Sequence, residues 1–187
     1  KTDKLDALKI ASDALDKWIK LRKYEPAETV RKTLQIMNRQ CIKLNKILVM
    51  QKNSLIALLD CCFPNANTLF TSPRRVSDGH EKWVDFAMKF PHVDSVAKLS
   101  LSAFRAKYQS WCKKEHYNYS ESKADQIHAY ARTIVSTLPM TESVRKMVSD
   151  AAKLLNSTLE ALGTLHSEMD ALASQLPEYE TVMNLYG

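Results

Sequence analysis

Two long runs of apolar residues, spaced alternately four and three apart, constrain the fold of this chain more than any other feature. The first run consists of Val30, Leu34, Met37, Cys41, Leu44, Leu48, Gln51, Leu55 and Leu58, with Gln51 as its single polar member. The second run consists of Val144, Val148, Ala151, Leu155, Thr158, Leu162, Leu165, Met169, Leu172 and Leu176. This spacing places each run on one stripe of an α-helix and is typical of a coiled-coil seam.

Composition agrees with an all-helical protein. The 187 residues include only 3 glycines, and few glycines means few tight β-hairpin turns. No apolar run approaches the roughly 18 residues that a membrane span needs, and no segment alternates polar and apolar residues long enough to predict a strand. We therefore predict an all-α protein that does not enter a membrane.

The two seams predict an antiparallel hairpin. Residues 26–60 form its first arm and residues 141–176 its second, with a small helical insert, residues 61–140, at the tip. The first arm holds six Lys and Arg against Glu28 and Asp60, whereas the second holds three against five acids. Opposite charge favours pairing the arms with each other, although each arm pairing with its own copy across a dimer is a competing arrangement.

Other segments of the chain have simpler predictions. Residues 1–25 carry a further helix, which Pro26 ends or kinks, and residues 177–187 follow the second arm. Asp78 and Glu81 have the spacing of a capping box, which predicts the start of a short helix there. The four cysteines have no metal-knuckle spacing, so we expect them to be reduced and structural in a reducing cytoplasm.

The excess of positive charge is concentrated in the first two thirds of the chain. Residues 1–60 carry 13 Lys and Arg against 7 acids, but residues 141–187 carry 3 against 7. This distribution suggests contact with DNA or RNA, and a mixed solvated surface explains it about as well. The candidate nucleic-acid-binding residues are Arg31, Arg39, Lys43, Lys46, Arg74, Arg75, Lys107, Lys113 and Lys114.

An aromatic and basic segment, residues 104–119, allows two interpretations. Its aromatic side chains would stack on nucleic-acid bases while its lysines neutralise phosphates. Alternatively, Phe104, Tyr108 and Trp111 form the core face of an amphipathic helix. Their spacing of four and three favours the buried stripe.

Asp3 and Asp6 are candidate metal ligands. Three residues apart on a helix, the two carboxylates share a face, as a divalent-metal site requires. Judged on spacing alone, they are more often surface acids near a helix N-terminus.

Three stretches, taken in order, resemble one family. Residues 1–7, KTDKLDA, with Ile10-Ala11 after them, resemble the K-T/N-D-x-x-D-A signature of DEDD-type insertion-sequence transposases. Residues 51–60, QKNSLIALLD, followed by Phe63-Pro64, are similar to the K-N-x-L-x-x-L-L helix end of that family. Residues 176–187 resemble the stretch that leads into its G-x-G hairpin motif. These transposases resemble the Piv DNA invertases, and bridge-RNA-guided recombinases are members.

The resemblance implies a three-part parent protein. A RuvC-like nuclease domain would precede this chain and end in the helix of residues 1–25, and a transposase domain with a nucleophilic serine would follow Gly187. Asp3 and Asp6 would be the last two acids of the catalytic D-E-D-D quartet and would hold Mg²⁺ in the parent protein. We expect the present chain to be a fragment with an incomplete active site and no bound metal.

The sequence thus predicts the central coiled-coil module of a DNA transposase or site-specific recombinase. We expect it to self-associate as a dimer or higher oligomer and to contact DNA or guide RNA. One alternative is a fragment of a RuvC-type repair nuclease. The other is a non-catalytic coiled-coil scaffold without a nucleic-acid partner.

Overall fold

The computed structural model describes residues 2–16 and 29–186, and over these ranges it contains α-helices and loops without a β-strand. The helices are α1 Thr2–Asp16, α2 Thr29–Cys62, α3 Lys82–Lys89, α4 Asp94–Ala97, α5 Leu101–Lys114, α6 Glu121–Thr133, α7 Glu142–Ala173 and α8 Tyr179–Tyr186, with a 3₁₀ turn at Ala66–Thr68. The all-α prediction is confirmed. The predicted end of the first helix near Pro26 lies outside the described residues.

The long helices α2 and α7 pack side by side in opposite directions. At one end, Arg31 of α2 forms an ion pair with Glu178, just beyond α7, at 2.7 Å. Further along, the Cys41 thiol lies 3.5 Å from the Met169 sulfur. At the other end, the carbonyl of Cys61 accepts a hydrogen bond from the amide of Thr137, before α7 begins. The supercoil of a true coiled coil remains a prediction.

The residues of both predicted seams lie on the sides of α2 and α7 that face each other, except Leu176, which follows the end of α7. Every one of them is buried or half-buried, and Leu55 and Leu155 are completely inaccessible to solvent. Burial of a leucine side chain stabilises a fold by about 1.5–3 kcal/mol, so the repeated seam supplies most of the free energy that holds the two helices together. The seam spacing therefore identified the core-facing side of each helix.

The insert begins at the tip of the helix pair and folds back along it. Asn156, in the middle of α7, donates a 2.6 Å hydrogen bond to Asp85 of α3. Lys52 of α2 forms a 2.5 Å ion pair with Glu81, immediately before α3. Because Lys52 lies ten residues before the end of α2, the insert covers roughly 15 Å of that helix as well as its end.

An aromatic cluster forms the centre of the insert. Phe86 of α3 has no exposed surface, and its ring lies 4.9–6.4 Å from the rings of five other residues. Those residues are Phe63, Phe70, Phe90, Tyr108 and Trp111. The cluster is continuous with the buried side chains of α2 and α7, so one hydrophobic core serves both the helix pair and the insert.

Hydroxyl side chains cap three helices, but the predicted capping box at Asp78 is wrong. Ser100, Ser120 and Thr141 accept hydrogen bonds from backbone amides in the first turns of α5, α6 and α7. In contrast, α3 begins only at Lys82, and its N-cap residue Glu81 makes no side-chain cap. The Asp78 carboxylate instead binds the guanidinium of Arg75 at 2.6 Å.

Helix α1 has an uncovered apolar stripe. Leu5, Leu8 and Leu15 are 60–79% exposed, since the other described residues do not pack over them. None of the described helices is sufficiently long and apolar to cross a bilayer.

Replacing Leu55 tests the role of the seam. We expect Leu55→Ala to lower the free energy of unfolding by about 2–5 kcal/mol, because it leaves a cavity between two helices. Val76→Ala, at a fully exposed loop position, should change it by less than about 0.5 kcal/mol. Urea unfolding followed by circular dichroism at one protein concentration measures both values. Equal effects of the two substitutions would contradict this account of the core.

Candidate nucleic-acid interface

Three predicted nucleic-acid contacts form a row on α2. Arg39, Lys43 and Lys46 follow each other at spacings of four and three, so their side chains emerge along one stripe over about 10 Å. All three are exposed, and none has a carboxylate partner within the part of the chain that the structure describes. We call these residues the α2 basic row. Among the described residues, therefore, no acid neutralises the charge of this row.

The α2 basic row faces outward because the seam faces α7. Cys41 and Leu48 are buried against α7, and Leu44 between them is half-buried. Arg39 and Lys46 fall on the opposite side of the helix, where long basic side chains reach solvent. The same heptad pattern that pairs the helices therefore sets the direction of the row.

Arg31, unlike the α2 basic row, forms an ion pair within the chain. Its guanidinium donates two hydrogen bonds to the Glu178 carboxylate, at 2.7 and 3.1 Å. Both side chains remain partly exposed, so the pair is of the surface type that contributes up to about 1 kcal/mol. Arg31 is thus engaged within the chain.

A second group of basic residues surrounds a cleft beside α5. Lys107 and Lys114 are two helical turns apart on α5 and line a cleft of about 340 Å³ together with Lys89 from the end of α3. We call these three residues the α5 basic cleft. Lys89 and Lys107 have no acidic partner among the described residues, and Lys114 has only a 3.9 Å contact with its neighbour Glu115. Lys113 is exposed on another side of α5.

Lys89 is a candidate that sequence reasoning missed. It follows a run of buried residues in α3, and its local sequence has no basic cluster that would single it out. Only the packing of α3 against α5 brings it to Lys107 and Lys114. Its exposed position in the last turn of α3 is the one local indication that it faces solvent.

Arg74 and Arg75, also predicted contacts, bind carboxylates of the protein itself. The Arg74 Nε donates to Glu81 at 2.9 Å, and Glu81 also pairs with Lys52. The Arg75 side chain is only 16% exposed, and its guanidinium binds Asp78 and the carbonyl oxygen of Glu115. Both arginines are therefore engaged by acids of the chain and are poor candidates for binding phosphate.

Arg75 belongs to a buried polar cluster centred on Asp85. The Asp85 carboxylate, 1% exposed, accepts hydrogen bonds from the Tyr117 hydroxyl at 2.7 Å and the Asn156 amide at 2.6 Å. Arg75 lies 3.4 Å from the same carboxylate, and so does the His80 ring. These contacts fix the loop before α3 against α7 and the end of α5.

Ionisation in the cluster follows these contacts. Hydrogen bonding from Arg75 holds the pKa of Asp78 below its usual value. Burial, reinforced by the hydrogen bond to Asp85, raises the pKa of Tyr117. Tyr117 therefore stays a neutral hydroxyl donor to Asp85 at neutral pH, and Asp78 is the closer counter-charge of Arg75.

The aromatic stripe of α5 is core, which confirms the interpretation that its spacing favoured. Phe104, Tyr108 and Trp111 are 0–4% exposed. The Lys82 ammonium lies 5.7 Å from the ring centroid of Tyr108 and donates to the carbonyl oxygen of Asn118. Lys82 is therefore engaged in contacts within the protein, and burial lowers its pKa.

Asp3 and Asp6 lie near the start of α1 with exposed side chains. Two carboxylates one helical turn apart are oxygen ligands that suit Mg²⁺. The described residues contain no group of three or more potential metal ligands. If Asp3 and Asp6 bind a metal ion, other carboxylates would be needed to complete the site.

Comparisons of this chain with protein-family models, curated proteins and solved structures found no match.

Removing the central carboxylate tests the buried polar cluster. We expect Asp85→Ala to lower the free energy of unfolding by about 2–5 kcal/mol, because the Tyr117 hydroxyl and the Asn156 amide both lose their buried acceptor. Asp94→Ala removes a carboxylate from a surface ion pair with Lys98 and should cost less than about 1 kcal/mol. Urea unfolding measures both. If Asp85→Ala costs no more than Asp94→Ala, the cluster does not hold the insert.

Proposed function

We propose that this chain is the central helical module of a DNA transposase or site-specific recombinase, and that it contacts DNA or guide RNA. One observation supports the contact with nucleic acid. Among the candidate basic residues, those of the α2 basic row and most of the α5 basic cleft have no acidic partner in the described parts of the chain. Exposed cations that the fold does not neutralise are suited to phosphates.

The geometry of the α2 basic row suits a phosphate backbone. Its side chains leave a straight helix at intervals of about 4.5–6 Å, close to the separation of successive phosphates along a strand. Contacts of this kind position a nucleic acid without reading its sequence. DNA and an RNA stem are therefore both suitable partners for this surface.

The transposase assignment rests on the resemblance and on the order of its three motifs. In the parent protein, Asp3 and Asp6 would hold Mg²⁺ together with two further acids, and the ion would polarise a phosphodiester for strand exchange. The exposed positions of Asp3 and Asp6 on α1 leave both carboxylates accessible to a metal ion. The repair-nuclease alternative uses the same acids, and a downstream serine-bearing domain distinguishes the two.

The antiparallel contact of α2 and α7 supports the proposed coiled-coil hairpin. A rigid pair of helices about 50 Å long is suited to holding catalytic domains at a fixed distance. The insert then carries the α5 basic cleft at one end of this spacer. Self-association of the module would bring two such spacers together.

Charge reversal tests nucleic-acid binding by the α2 basic row. The triple variant Arg39→Glu, Lys43→Glu, Lys46→Glu should bind a labelled DNA duplex or RNA stem more than tenfold more weakly than the unaltered chain. Because up to three phosphate contacts are lost, the slope of log affinity against log salt should shrink by roughly 2 to 3. Fluorescence polarisation between about 50 and 200 mM salt measures both quantities.

The matched control changes the net charge equally at exposed sites away from both basic surfaces. Lys9→Glu, Lys98→Glu and Arg132→Glu together should leave the salt slope nearly unchanged. Equal loss of binding in both triple variants would show that only net charge matters. No binding by the unaltered chain at low salt would favour the scaffold alternative and overturn the nucleic-acid contact.

A further inference from the structure

The insert covers only one side of the α2–α7 pair. On α2, Leu59 follows the seam residue Leu58 and is completely buried. On α7, Ala152 and Leu159 also follow seam residues and are at most 4% exposed. Positions that follow a seam residue therefore face the insert where it covers the pair, whereas farther along α2 Ile42 and Val49 follow seam residues and are 49% and 57% exposed.

The opposite side of the pair carries exposed apolar side chains. Ile47 and Met50 of α2 each precede a seam residue and are 43% and 70% exposed. Met147 and Leu154 of α7 also precede seam residues and are 46% and 58% exposed. One residue corresponds to a rotation of about 100°, so positions before and after a seam residue lie on opposite flanks of the helix. We call these four residues the bare face.

Both helices contribute to the bare face because they are antiparallel. In an antiparallel pair, equivalent flanks of the two helices lie on the same side of the seam. Exposed apolar groups on both helices thus lie on one side of the pair, with Met50 and Leu154 about 9 Å apart along its axis in the register set by the contact of Cys41 with Met169. Such a surface is typical of protein association.

We propose that the bare face binds the bare face of a second copy of this chain, which gives a four-helix bundle with the inserts on its outer sides. This inference specifies the self-association included in the proposed function and rests on it. A two-fold contact requires a self-complementary surface, and a face made of both helices provides one.

Charge selects how the two copies are oriented. On the flank of the bare face, Lys43 of α2 precedes the seam residue Leu44, and Glu168 of α7 precedes the seam residue Met169. A two-fold axis parallel to the helices places α2 of one copy on α7 of the other, so opposite charges meet. An axis across the helices would place α2 on α2 and bring like charges together, which opposes binding. The structure therefore favours the parallel axis.

The bundle leaves most of the nucleic-acid surface free, because Lys43 is the one residue of the α2 basic row on the bare-face flank. Arg39 and Lys46 lie opposite the seam of α2, at the outer edge of the bundle. The α5 basic cleft belongs to the insert, which lies outside it. A dimer would therefore present two copies of each basic surface.

Polar substitution of the bare face tests the bundle. Sedimentation equilibrium of the unaltered chain should show a dimer, and Met50→Glu with Leu154→Glu should raise the dissociation constant at least a hundredfold. Met50→Gln with Leu154→Gln should weaken the dimer less, by tenfold or more, without added charge. Val76→Glu with Val135→Glu, at exposed loop positions, is the matched control and should leave the dimer intact.

The remaining outcomes separate the bundle from other arrangements. A monomeric unaltered chain, or a dimer that both bare-face variants leave intact, would overturn the proposal. The parallel axis predicts that screening by added NaCl weakens the dimer, and a dimer that tightens with NaCl would contradict that axis. Circular dichroism should show unchanged helix content in each variant. Nucleic-acid binding that persists in a monomeric variant would show that the two surfaces act independently.

Discussion

The antiparallel contact between α2 and α7 is the constraint on which the rest of the structure depends. Its seam buries one side of each helix, and the ion pair between Arg31 and Glu178 lies at its open end. A heptad seam fixes the rotation of a helix about its own axis. For this reason, the seam also determines which side carries the α2 basic row, which side meets the insert and which side remains bare.

The insert is built on this helix pair by polar as well as apolar contacts. Phe86 joins the aromatic cluster to the common core, and Asp85 on the same short helix binds Asn156 of α7. A buried carboxylate is costly without partners, so Asp85 specifies one position for α3 against α7. That position also brings Lys89 to the α5 basic cleft. Core packing and the proposed binding surface are thus set by the same helix.

Sequence periodicity predicted the long-range contact but not the polar details. The spacing from Val30 to Leu58 and the buried stripe of α5 were readable because helix geometry alone determines them. The contacts of Arg75 and Asp78 were not readable. Arg75 binds the carbonyl oxygen of Glu115, which is distant in sequence, and Asp78 binds Arg75 in place of the helix cap that its local sequence suggested. Lys89 became a candidate only because the packing of α3 against α5 brings it to Lys107 and Lys114. Arg39 and Lys46 are exposed because they lie opposite the seam, and Lys43 is exposed on its flank.

Intrachain cross-linking across α2 and α7 tests the central pairing most directly. The Cys41 sulfur lies 3.5 Å from that of Met169, so Met169→Cys places a second thiol opposite Cys41, and a short bifunctional thiol reagent should bridge the two in the same chain. After treatment in dilute solution, this variant should run as a compact monomer on a denaturing gel, whereas adding Cys41→Ser should abolish the change. Cross-linked dimers at high dilution, or no intrachain cross-link, would contradict the intrachain pairing of α2 with α7.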